Sequence, residues 1–158
     1  MKPFARKGTT YVATFAPDEA QLLQQLCLQV AELISAHADY TNDAAVNRLL
    51  PDAYRDDDEA AAEFRRFTAD DLAARKAANA RVIAAAVSEV AAGRVPAKVV
   101  VGAAEAQAWI RSLTDIRLSI AARLGIETDD APLPWGEPLV DAYQWLGFVQ
   151  ESLVRVLR

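Results

Sequence analysis

Residues 104–125, AEAQAWIRSLTDIRLSIAARLG, limit the architecture more than any other stretch of the chain. Wound as a helix at roughly 100° per residue, they align Trp109, Leu113, Ile116, Ile120 and Leu124 along one stripe. Ile110 widens that stripe and Leu118 lies nearly opposite, which predicts neighbours on more than one flank. Gly125 stands where a left-handed residue ends a helix. The stretch reads as a central core helix with one polar demand. Arg117 falls inside the stripe, and a buried guanidinium needs a carboxylate or carbonyl partner because a lone buried charge is very costly. Asp115 and Asp52 are the candidate acids.

The rest of the composition fits a helical domain. A length of 158 residues suits one domain that buries about two-thirds of its unfolded surface. Thirty-three residues are alanine, the strongest helix former and one that lets helices approach closely. No run of eighteen apolar residues occurs, which argues against a membrane span, and MKPFARKGTT lacks the apolar run of a signal peptide. A single cysteine, Cys27, forbids an intramolecular disulfide and fits a reducing cytoplasm. The net charge of −5 is the wrong sign for a protein that lives on phosphate backbones.

In chain order, residues 1–8 read as a basic, flexible N-terminus and 9–158 as a single helical domain. Thr9 to Phe15 is β-branched and aromatic, a strand signature. Pro17, Asp18 and Glu19 suit a helix start, and Leu22, Leu23, Leu26, Val30, Leu33 and Ile34 then form a stripe that His37 continues. Asn42 or Asp43 caps a short helix ending near Leu50, and Pro51 to Arg55 is an ordered connection. Asp56 to Glu59 opens the next helix, which buries Phe64 and Phe67. Thr68 to Asp71 resembles a capping box, so a new helix is predicted from there to about Ala92, with Leu72, Ile83, Val87 and Val90 inward. Pro96 to Val101 reads as a second strand. Glu-Ala-Gln follows both strands, at 19–21 and 105–107, a recurrence that predicts paired strands with the starts of two core helices side by side. A proline-rich loop after Ile126 precedes a last helix from about Glu137 to Leu157. The predicted fold is mainly α: five or six helices around the 104–124 helix, with a two-stranded β-ribbon from 10–15 and 97–101.

Three blocks resemble a known family: LLPDAYRDDDEAAAEFRRFT, AWIRSLTDIRLSIAARLGI and YQWLGFVQESLVRVL. They are similar to those of an uncharacterised actinobacterial family catalogued as domain of unknown function 2017, across nearly the whole chain. Thr114 stands where the family pattern has Asn. The resemblance implies a cytoplasmic, nearly all-helical protein. It also implies genes placed beside the adaptor of the Clp protease and near sulfur-carrier and cysteine-synthesis genes. It carries no catalytic residues to transfer.

Residue chemistry favours an interaction or regulatory protein over an enzyme. One His and one Cys do not make a zinc site, no phosphate-binding glycine pattern occurs, and no cofactor is expected. His37 reads as a stripe-end residue and Cys27 as a small core residue. The carboxylates of Asp56 to Glu59 point in different directions and are solvated helix-start charge rather than a cation cage. Arg65, Arg66, Arg75, Lys76 and Arg81 form a basic patch, yet Asp70 and Asp71 interrupt it, so nucleic-acid binding and a role as transcriptional regulator rank below the other readings.

The inward polar set is Arg117, Asn79, Gln150 and Asp115, read either as a buried network that fixes helix packing or as a pocket for an anionic small molecule. On the last helix, Leu139, Tyr143, Leu146, Leu153 and Leu157 form one stripe. Trp145, Phe148, Val149 and Val156 form a second that needs another neighbour, either the first helix within the domain or, across an interface, a protein partner or a homodimer.

Overall fold

The computed structural model describes residues 1–51, 59–128 and 130–158, with only the helical backbone described for 59–62, 64 and 65. The connection from Asp52 to Arg55, the acidic residues Asp56 to Asp58 and the side chains of Glu59, Phe64 and Arg65 therefore lie outside the described residues. The elements are β1 (Lys2–Lys7), β2 (Thr10–Phe15), α1 (Pro17–Ser35), a 3-10 turn (His37–Asp39), α2 (Ala44–Leu49), α3 (Glu59–Ala92), β3 (Ala97–Gly102), α4 (Ala103–Leu124) and α5 (Pro138–Leu157). The molecule is mainly helical, as expected, and α4 contacts all four other helices together with β2 and β3. Its Trp109, Leu113 and Ile116 are fully buried, and Gly125 closes it with φ of +72°.

The sheet has three antiparallel strands in the order β1-β2-β3, which corrects the two-stranded ribbon and the flexible N-terminus together. KPFARK hides its strand character because only Phe4 is buried, while Pro3 and three cations suit an edge strand. The β1–β2 register slips by one residue between Lys2 and Ala5. The Phe4 amide bonds the Ser152 hydroxyl on α5 instead, at 3.4 Å. Tyr11, Ala13 and Phe15 of β2 and Val99 and Val101 of β3 make the inner face, where strand alternation puts them. Phe4, Phe15, Trp109 and Trp145 meet there, mostly edge to face, with ring centroids 5.5 to 6.4 Å apart.

The β2–β3 pairing is as expected, but its direction is not what the recurrence suggested. Phe15 lies opposite Ala97 and Thr10 opposite Gly102, so α1 and α4 leave from opposite ends of the sheet. What the two junctions share is chemistry: Glu19 accepts from the Ala16 amide at 2.9 Å and Glu105 from the Gly102 amide at 3.2 Å.

Residues 59–92 form one helix rather than two. The Thr68-to-Asp71 signal is overridden because Ala69, Ala73, Ala77, Ala80 and Ala84 make a continuous buried stripe that needs no break. Phe67, two positions from Ala69, consequently faces solvent at 77% exposure, against the expected burial. α1 runs antiparallel to α3, with the Gln21 side chain on the Ala91 carbonyl and Gln24 on that of Ala84. Asp43 caps α2 as predicted, accepting from the Ala45 and Val46 amides at 2.8 and 3.2 Å.

Candidate functional site

Of the polar residues expected to point inward, Asp115 is buried and Asn79, Arg117 and Gln150 are half-buried, and they divide between two neighbouring clefts along α4 that meet at Thr114. On the α3 side, Asp115 is buried beside Ser112, Ile116 and Ser119, and Lys76 of α3 reaches it at 2.6 Å. Their side chains are 7% and 21% exposed. Burial pushes the Asp115 carboxyl above its ordinary value, while the Lys76 hydrogen bond and charge pull it back. Asn79 lies half-buried in this cleft of about 390 Å³, together with Leu72, Ile110 and Arg111.

On the α5 side, Arg117 is half-buried rather than mostly buried, and among the described residues it meets neither the carboxylate nor the backbone carbonyl that was expected. Asp115 points to the other side of the helix, and among the described residues no carboxylate pairs with Arg117. Its guanidinium carbon lies 4.5 Å from the centre of the Tyr143 ring, a cation–π contact. Its Nη1 donates to Gln150 Oε1 at a long 3.5 Å, and its Nε is buried without a partner among the described residues. Tyr143, Gly147 and Gln150 form one stripe of α5 under this group. A Cβ at Gly147 would come 3.2 Å from Nη2 and 3.3 Å from Cζ, so any larger residue there would press the guanidinium back by a few tenths of an ångström.

Thr114 stands between the two clefts and lines both. Its hydroxyl donates to the Ile110 carbonyl at 3.1 Å and accepts from Gln150 Nε2 at 2.6 Å. Gln150 Nε2 also reaches the Ile110 carbonyl at 3.1 Å, so the amide nitrogen is committed and its oxygen is turned toward Arg117. Arg48 of α2 lines the same cleft, with Nη1 on the Ile126 carbonyl at 2.7 Å, which holds the loop after α4 at the rim.

Other candidates are absorbed by packing. Cys27 is fully buried, and burial pushes its thiol up to about 12. His37 is buried with Nε2 2.7 Å from Asp70. Within the basic patch, Arg75 faces Asp71 at 3.5 Å and Arg81 reaches the Ser35 hydroxyl at 3.4 Å. The second stripe of α5 is largely covered inside the monomer. Val149 is fully buried, and Trp145 packs on Phe15, with β1 supplying the second neighbour that the sequence left open. Val156 is half-buried, and Phe148 alone of that stripe stays open, at 48%. Among the described residues no cluster of His, Cys, Asp and Glu could hold a metal ion, and no helix is long and apolar enough to cross a membrane.

Sequence reasoning missed Lys76 as a partner, and it missed Arg48, Tyr143 and Gly147. Two signals were present. Asp115 falls at helical spacing with Ser112, Ile116 and Ser119, and a lone glycine inside an apolar helix marks a close approach.

A helical core closed on one side by a small antiparallel sheet, with two polar clefts flanking its central helix, defines a small mainly α domain. The chain belongs to the family described as Domain of unknown function (DUF2017), whose model matches residues 1–157. Similar proteins named "Oxidative stress regulator AosR" occur in Mycobacterium tuberculosis, strains CDC 1551 and H37Rv, and in Mycobacterium bovis. Each is 30% identical over an alignment of 188 residues that covers 96% of this chain and 84% of the relative. No solved structure is a significant match.

Proposed function

We propose that this protein is a cytoplasmic, non-enzymatic regulatory protein that acts by contacting another protein and does not sense oxidants through a thiol of its own. The regulatory part rests on the mycobacterial relatives, whose name applies to proteins aligned over 96% of this chain. The observation that carries the second part is Cys27. It is the single cysteine, it is fully buried, and its thiol is held up to about 12. A thiol reacts as its thiolate, which this site suppresses at physiological pH. The gene neighbourhood implied by the family resemblance makes the adaptor of the Clp protease the first partner to test.

The experiment is a gene deletion with transcripts followed after peroxide exposure, complemented by wild type or by Cys27→Ala. Both versions should restore the response, and mass spectrometry should find Cys27 unmodified in the native protein. An unchanged transcript profile in the deletion strain would remove the regulatory reading. Failure of a folded Cys27→Ala protein would restore the thiol as sensor. Titration of the purified adaptor into the full chain tests the partner separately.

A further inference from the structure

From the cleft between α4, α5 and α2 we infer a binding site for a small organic carboxylate, with Arg117 as the group that receives it. The cleft measures about 330 Å³, within the lower range of small-molecule sites. Arg117 is held in place rather than free to swing: Tyr143 and Gly147 lie against its guanidinium, and Gln150 is locked by Thr114 and Ile110. Yet its hydrogen-bonding capacity is barely used. Among the described residues its Nη groups make one long contact, to a neutral amide oxygen, and it is this Nη end, not the buried Nε, that an anion in the cleft would meet. Holding a half-buried cation without a counter-charge is unfavourable, and the arrangement becomes favourable once an anion enters from solvent.

The lining narrows the kind of anion. Arg48 and Arg117 supply two positive charges and exposed Glu127 one negative charge. The α4 residues that face the cleft, from Thr114 to Ala121, lie in mid-helix, where backbone amides are already bonded within the helix. No ring of amide donors of the sort that cradles phosphate is offered by them. One planar, bidentate guanidinium matches a carboxylate, and Leu118, Ala121 and Ile126 supply apolar surface for the carbon skeleton attached to it.

This site does not rest on the regulatory reading, and either can fail alone. The full chain is titrated with succinate, malate and citrate, and separately with inorganic phosphate, against sodium chloride at matched ionic strength. At about 20 mM, a carboxylate with a Kd of about 1 mM raises the unfolding midpoint by about 4 °C. The same titration shifts the Gln150 side-chain amide signals in the NMR spectrum, a readout that needs no variant. Arg117→Gln weakens binding at least tenfold, while Arg75→Gln, in the other cleft, leaves it unchanged. Stabilisation by phosphate alone overturns the carboxylate assignment. The site itself is overturned if no carboxylate exceeds chloride and Gln150 stays unshifted, or if a folded Arg117→Gln protein binds as wild type does.

Discussion

Asp115 and Arg117 are two positions apart on α4 and therefore face opposite sides of it, and their surroundings answer them differently. Asp115 is met by Lys76 at 2.6 Å, a charge for a charge. Arg117 is met by an aromatic ring, a glycine and the far end of a glutamine. The first arrangement is complete without anything from outside. The second holds its cation in place with a hydrogen-bond donor unanswered. A polar residue in an apolar stripe thus signals that a partner is needed, but not whether the fold supplies one. That distinction separates a packing device from a receptor.

The sharpest way to break this comparison is Lys76→Ala, which strands a buried carboxylate and should cost about 3 kcal/mol in urea unfolding at neutral pH. Its pH dependence fixes the cause. The Asp115 carboxyl is raised in the folded protein, so its contribution weakens as pH climbs from the unfolded value to the folded one. Without Lys76 the folded value rises further, and the loss should shrink as the medium is made mildly acidic. Replacing both partners, Lys76→Met with Asp115→Leu, should recover most of the stability, because a well-packed apolar pair needs no counter-charge. An equal loss at both pH values would mean that Lys76 acts by packing alone.

Arg117→Ala should cost much less, about 1 kcal/mol, since it removes a cation–π contact and stem packing but orphans no acid. The same unfolding series measures it. A loss near 3 kcal/mol, the size an acidic partner would produce, would show that the two sites are alike after all.

Gly147→Ala sharpens the contrast further. In an Arg117→Ala background it should stabilise by about 0.5 to 1 kcal/mol, the ordinary gain of alanine over glycine within a helix. In the wild-type background the incoming Cβ meets the guanidinium and should cancel that gain. A gain of the same size in both would show that Arg117 moves aside freely. The smallest effect belongs to Arg155→Ala, whose exposed i,i+4 pair with Glu151 should matter by about 0.5 kcal/mol or less.

The central helix, its glycine stop, the Asp43 cap and the β2–β3 pairing were legible because each is written locally, in periodicity or turn chemistry. β1 was not. Pro3 and its cations look like a tail until β2 is there to pair with, and the aromatic partners of Phe4 are distant in sequence. The false break in α3 came from reading the Thr68–Asp71 signal without the alanines around it. Ala73 and Ala77 carry little hydrophobic signal, yet they are what α3 buries along this stretch. The polar set was legible as inward-facing. Its pairing was not, since Lys76 and Asp115 stand on different helices and no spacing rule connects them.

The antiparallel register of β2 and β3 also bears on how the chain finds its shape. Phe15 and Ala97 are neighbours in the sheet but 82 positions apart in sequence (97 minus 15). Closing a flexible loop of that length costs about 4 kcal/mol in chain entropy before any ladder bond forms. Packing of α1 on α3 meets most of that cost first, because it already brings Gln21 to Ala91, 70 positions away, and leaves only short tethers on either side. For those tethers, about a dozen residues together, the closure cost falls to about 2 kcal/mol. The helical hairpin is therefore the assembly jig for the sheet, and pulse-labelled exchange should protect Leu23 and Ile83 before Val99 and Val101. Simultaneous protection would make the two a single folding unit.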